Sequence, residues 1–231
     1  MPRLARRRRR LGATVDHVPR PAASAAAAAQ KKPLHASERD TPRVQALRAA
    51  WLAEVGSIPP RKLVFVDESG ATTAMTRTHG RAPPNERVAG AVPHGHWRVM
   101  TILGALRLGG VVAGASIEAA TDTEIFRLFV TEALVPALRP GDVVVWDNLG
   151  AHRAADLEQA VRSAGARLLP LPPYSPDLSP IEPGWSKVKQ HLRSAEARTA
   201  EALGTASVDA FGSITSADTR GWFRHCGYAV H

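Results

Sequence analysis

The chain has 231 residues, 44% of them hydrophobic, and a formal charge of +9 at pH 7. That is enough for one large domain or two small ones around a buried core. No apolar run approaches the roughly 18 residues that span a bilayer, and the single Cys226 permits no internal disulfide, so the expectation is a cytoplasmic protein without a membrane anchor or a disulfide framework.

The charge is unevenly spread. Residues 1–32 hold nine basic side chains against one acid, Asp16, and so carry eight of the nine net charges. Such an arm binds polyanions by counterion release, whatever their sequence. Residues 1–33 are arginine-rich and then alanine-rich without sustained helical periodicity, and read as a basic arm. Thr41 to Val55 follows as a helix, with Val44, Leu47, Ala50, Trp51 and Leu52 on one face before Gly56 and the Pro59–Pro60 pair. The expected division is thus an arm with a linker helix over 1–60 and a second domain over 61–231.

From Lys62 the pattern turns to α/β. LVFV is a short, fully apolar run of the kind that forms a central strand covered on both faces. Segments 71–76, 97–106 and 110–117 read as further strands, and the Pro- and Gly-rich piece between the first two as a loop. Thr121 with Glu124 forms a capping box for a helix reaching about Leu138. VVVW is a second apolar strand, Ala154 to Ala164 a helix stopped by Gly165, and ARLLPL another strand. The proline-stiffened LPPYSPDLSP leads into a last major helix from Ile181 through Trp185, Val188 and Leu192.

Both apolar strands close in an acid, Asp67 and Asp147, and Glu182 falls in the first turn of the last helix. Strand ends in an open α/β sheet converge where such sheets place their sites. Three carboxylates crowded together repel one another, and divalent cations remove the conflict. Two hard cations roughly 3.5–4 Å apart on carboxylate oxygens activate a water or a 3′-hydroxyl for in-line attack on phosphorus. Two Mg2+ or Mn2+ ions fit, since magnesium favours oxygen ligands and keeps waters that a phosphate displaces. On spacing alone, the alternative is that Asp67 and Asp147 merely cap their strands.

FVDESG, MTRTHGRAP with VPHGHW, VVVWDNLGAH, LPPYSPDLSPIEPGW with SKVK, and the closing WFRHCGY occur in this order. With them the chain from about Lys31 to Tyr228 resembles the catalytic part of Tc/mariner-superfamily transposases, most closely the bacterial insertion-sequence branch called IS-six-thirty. The 34 residues between Asp147 and Glu182 look like that superfamily's acid triad. The resemblance implies an RNase H-like fold, a mixed central sheet flanked by helices, with Asp67, Asp147 and Glu182 as catalytic metal ligands. It also implies cleavage of double-stranded DNA at the ends of a mobile element and joining to TA targets, by a homodimer on DNA. The family's N-terminal helix-turn-helix region has no counterpart in the arm, which bears on whether this form recognises element ends by itself. The rival expectations are an RNase H-type nuclease without strand transfer and a remnant that binds DNA without chemistry.

Glu68 should face away from Asp67 on a strand and support the site rather than ligate. Asp177 rivals Glu182 as third acid, but SPDLSP reads as a turn in which it bonds backbone amides. Asn148 and His152 follow Asp147 in the matching motif, where they would orient phosphate or water. His94, His96 and His152 lack the cysteine or helix-spaced histidine pairs of a zinc site. Arg77, Arg81, Arg98, Lys187 and Lys189 are candidates for the DNA backbone, and Trp185 reads as core.

Overall fold

The computed structural model describes residues 34–119, 122–147 and 155–230. The expected arm, the Thr121 cap, Asn148 and His152 fall outside these. Five strands, β1 (Leu63–Thr72), β2 (Val99–Arg107), β3 (Gly110–Ile117), β4 (Val143–Val145) and β5 (Arg167–Leu168), make one mixed sheet in the order β3-β2-β1-β4-β5. β1, β2 and β3 are antiparallel neighbours, whereas β4 and β5 run parallel to β1.

LVFV forms the central strand because both of its faces are covered. Leu63 and Phe65 pack into one apolar cluster with Trp185, Leu192 and Phe223, and Val64 and Val66 into a second with Phe126, Leu134 and Val161. The strand does not end at Asp67. It continues to Thr72, because Val99–Arg107 offers a partner for each residue from Val64 onward. The strand expected at 71–76 is therefore the tail of β1, and the chain then leaves the sheet through a segment held by Arg198, which donates to the Thr73 and Met75 carbonyls at 3.1 and 2.8 Å.

Seven α-helices are described. Pro42 occupies the first turn of α1 (Pro42–Val55), where its missing N–H costs nothing. The buried stripe of α1 is Val44, Arg48, Trp51 and Val55, while Leu47 and Leu52 are exposed, so an arginine replaces apolar residues in the face that the sequence suggests. α2 (Thr123–Phe129) is capped by Asp122, whose carboxylate accepts from the Ile125 N–H at 2.9 Å. A π-helical turn (Val130–Leu134) and α3 (Val135–Ala137) continue it, with Pro136, which brings no N–H, just beyond the wide turn. α4 (Ala155–Ser163) ends near Gly165, whose φ of +75° is a left-handed conformation that favours glycine.

α5 (Ile181–Ala195) crosses β1 and β2, burying Ile181, Gly184, Trp185, Val188 and Leu192. It is not the last: α6 (Ala200–Gly212) and α7 (Ser216–His225) follow, the latter opened by a Thr215–Asp218 capping box. From His35 onward the described residues belong to one compact unit. No helix among the described residues is long and apolar enough to cross a membrane.

Candidate active site

The two apolar strands deliver their acids by the same arithmetic. β1 and β4 are parallel with Phe65 beside Val145, and Asp67 and Asp147 each stand two residues further on. Adjacent strands lie about 4.8 Å apart, so equal steps from a paired register bring both acids to one sheet edge. Glu182 comes from the first turn of α5. All three line one cavity of about 470 Å³, together with Trp146, Leu171 and Tyr174.

The approach of Glu182 is fixed by ties on the proline-rich segment. Leu171 donates its N–H to the Trp146 carbonyl at 2.8 Å, which extends the run alongside β4. Arg48 forks onto Asp177, with contacts of 2.8 and 3.1 Å, and donates to the Ser175 hydroxyl at 2.6 Å; Arg39 adds a 3.0 Å contact to Asp177. Tyr228 donates its hydroxyl to the Leu178 carbonyl at 2.6 Å, and its ring packs against Phe65 and Phe223. The closing WFRHCGY motif thus binds the segment before Glu182 to the strand before Asp67.

These ties also distinguish the rival acids. Asp177 is held chiefly by arginines, with its own backbone N–H a lesser donor where backbone amides alone were expected. Burial alone would raise its carboxyl, but the Arg48 hydrogen bonds and the charges of Arg48 and Arg39 bring it below the usual range. Asp67 goes the other way. Burial above all, with the charges of Glu182 and Glu68, pushes it up to about 7 despite the hydrogen bonds it accepts from Trp185 and the Glu68 backbone. Glu182, though at the exposed rim, is raised by partial burial of its carboxyl and by the charge of Asp147, against the pull of Lys189. Glu68, opposite Leu103, shares the face of Val64 and Val66, away from Asp67.

The donor set is all carboxylate oxygen, and this chemistry suits hard divalent cations. Among the described residues no group of three or more His, Cys, Asp or Glu side chains stands ready to hold a metal ion. The acids share a cavity without being drawn onto one point.

The basic candidates are dispersed. Arg77 lines a separate cavity of about 480 Å³ with His79, Gln190 and Arg193, and Arg81 is exposed in the loop that follows. Arg98 pairs with Glu118. Lys187 donates to Asp218 at 2.6 Å and to the Ser213 carbonyl at 2.9 Å, pinning α5 to the start of α7. Lys189 lies close enough to Glu182 to lower its carboxyl. Cys226 is buried, and burial first, then the charges of Asp177 and Glu182, push its thiol up to about 11, consistent with packing.

Sequence reasoning overlooked two parts of the site. Arg48 is hidden in an otherwise apolar helix stripe. Trp185, read as core, is buried but also donates its indole N–H to Asp67 at 2.8 Å. A signal for the second exists: Gly104 and Gly114 sit inside apolar strands, where glycine marks the close approach of another group.

Residues 62–204 match the family model described as DDE superfamily endonuclease. Among solved structures, the Mos1 transposase paired-end complex with left transposon end aligns with a TM-score of 0.66 at 17% identity, over 87% of this chain and 62% of that one. The Mos1 mariner paired end complex with Mn gives 0.64 at 17% identity, over 87% and 62%. The Mos1 transposase catalytic domain with Raltegravir and Mn gives 0.62 at 13% identity, over 84% and 94%. The chain therefore spans about three fifths of the paired-end-complex transposase but nearly all of the isolated catalytic domain. At these identities the likeness shows the fold, the RNase H-like architecture of that catalytic domain. A comparison with curated proteins finds no match.

Proposed function

Because this chain belongs to the DDE superfamily endonucleases, we propose that it is a transposase that cuts double-stranded DNA at insertion-sequence ends and joins the freed 3′-ends to TA-containing target DNA. The observation that carries this reading is the arrival of Asp67, Asp147 and Glu182 at one cavity from β1, the end of β4 and the start of α5. The ordered motifs support an element of the IS-six-thirty branch.

In this reading Asp67, Asp147 and Glu182 are the catalytic carboxylates and would hold two Mg2+ or Mn2+ ions, the metals named in the neighbouring Mos1 complexes. Bound there, such ions supply Lewis acidity that makes water or a 3′-hydroxyl a nucleophile and stabilises the departing oxygen. The chain's own contribution is position and charge. Burial and neighbouring carboxylates raise both Asp67 and Glu182 in the metal-free protein, and cations held there would relieve that cost. Trp146 and Leu171 wall the cavity with apolar surface, which strengthens electrostatic interactions inside it. Glu68 supports β1 from its other face, and Asn148 and His152 orient phosphate or water.

Arg77, Arg81 and Lys189 contact the DNA backbone, with Arg98 and Lys187 adding charge from within their ion pairs. The arm over residues 1–32 adds affinity of a sequence-independent kind. The active assembly is a homodimer on DNA, acting in the cytoplasm, a setting that the lone buried Cys226 suits. The test is incubation of the purified chain with Mg2+ or Mn2+, a pre-cleaved duplex bearing the sequence that flanks the coding region, and a TA-containing plasmid. Joined products are expected. Hydrolysis without joining would make the protein an RNase H-type nuclease, and bound but intact DNA would make it an inactive remnant.

A further inference from the structure

We propose that Trp185 is a positioning residue for Asp67, its indole N–H fixing the carboxylate from a trench that the side-chain-free Gly104 and Gly114 keep open. The inference rests on the proposed role of Asp67 and extends it to Trp185, Gly104 and Gly114.

Cross-strand pairing makes the trench. Asp67 pairs with Gly104 on β2, and Gly104 with Gly114 on β3. Residues directly opposite one another share a face of the sheet, so this row presents a carboxylate followed by two positions without side chains, toward α5 and α6. Two aromatic rings fill the gap. A Cβ at Gly104 would stand 3.0 Å from Cη2 of Trp185, and one at Gly114 would stand 2.6 Å from Cε2 of Phe211. The two rings lie 6.2 Å apart between centroids. Trp185 is therefore set by Gly104 below, by Phe211, itself seated over Gly114, beside it and by its own helix above, and from there its N–H reaches Oδ2 of Asp67 at 2.8 Å.

A buried indole N–H needs an acceptor, and a purely structural tryptophan would be served by any carbonyl. Here the acceptor is the acid proposed to ligate metal, and the donor is neutral, so it orients the carboxylate without cancelling the charge that attracts a cation. Groups that hydrogen-bond a ligating carboxylate typically change metal affinity about 10- to 100-fold when removed.

The test uses the full chain and its Mn2+ affinity, measured by calorimetry and by the electron paramagnetic resonance of free Mn2+. Benzothienylalanine in place of Trp185 keeps the bicyclic shape and puts sulfur where the indole carries N–H; Trp185→Phe keeps an aromatic ring. Both should weaken Mn2+ binding about 10-fold or more, and Gly104→Ala should do so with the indole still present. The benzothienyl variant should keep the wild-type circular-dichroism spectrum, so its loss of affinity is not loss of fold. An unchanged Mn2+ affinity in the benzothienyl variant overturns the proposal while leaving the acid triad intact. Wild-type protein whose Mn2+ binding is absent, or insensitive to Asp67→Asn, overturns the functional reading and this inference with it.

Discussion

Two acids of the sheet region meet opposite treatment. Asp142, just before β4, is 1% exposed and bonds Arg107 of β2 at 2.5 Å, with the Arg139 backbone N–H as a further donor at 2.8 Å. Asp67, half-buried, takes its side-chain hydrogen bond from a neutral indole and feels the charges of Glu182 and Glu68. The first acid has its countercharge within the fold; the second is surrounded by more negative charge. Burying a carboxylate without a countercharge is costly, and in the proposed function a cation from outside would offset that cost. On that reading the contrast separates an acid that holds the fold from one kept for chemistry.

The largest expected effect lies on the chemical side. Asp67→Asn should lower metal-dependent DNA cleavage by about 10³-fold or more, since several kcal/mol of metal-supplied stabilisation is lost, with the fold and its cooperative melting retained. Gel assays of plasmid nicking alongside calorimetric melting would check both halves. Asp142→Asn should do the reverse, costing about 3–5 kcal/mol of stability by leaving Arg107 buried without its partner, as measured by urea unfolding.

A smaller effect distinguishes the acids by pH. The Asp67 carboxyl is raised from 3.8 to about 7, so the metal-free native state binds the proton more tightly than the unfolded chain. Its contribution to stability is complete below about pH 4 and is lost as pH rises through 7. Metal-free wild type should therefore lose about 3–4 kcal/mol relative to Asp67→Asn between pH 4 and 8, and Mn2+ should restore it. Equal pH slopes in the two proteins would remove the charge conflict from the account. The smallest effect belongs to a half-exposed pair: Lys187→Met, which breaks the 2.6 Å contact with Asp218, should cost about 0.5–1 kcal/mol in the same unfolding assay.

Much of this contrast was legible in the residues. LVFVD and VVVWD announce two buried strands each closing in an acid, though not their parallel register, and the stiff segment before Ile181 announces Glu182 at a helix start. Less visible was anything decided by a distant partner. β1 runs past Asp67 because β2 pairs with DESG, a stretch too polar and glycine-containing to read as strand, and so joins it to the start of the segment expected at 71–76. Arg48 joins a helix core because Ser175 and Asp177 meet it across 127 and 129 residues. The apolar periodicity of α5 marks Trp185 as buried but says nothing of its N–H, whose acceptor is fixed only when Gly104 pairs with Asp67. α6 and α7 escaped notice since their stripes are built largely of alanine and of scattered aromatics.

The central claim is that Asp67, Asp147 and Glu182 together bind divalent cations. Crystals of the full chain grown or soaked with Mn2+ would test it most directly by anomalous scattering at the manganese edge. The account predicts anomalous peaks in the cavity between Asp67 and Asp147, with Glu182 in contact and the peaks lost in Asp67→Asn. Manganese bound only elsewhere on the protein, or a cavity without anomalous signal at saturating Mn2+, would contradict it.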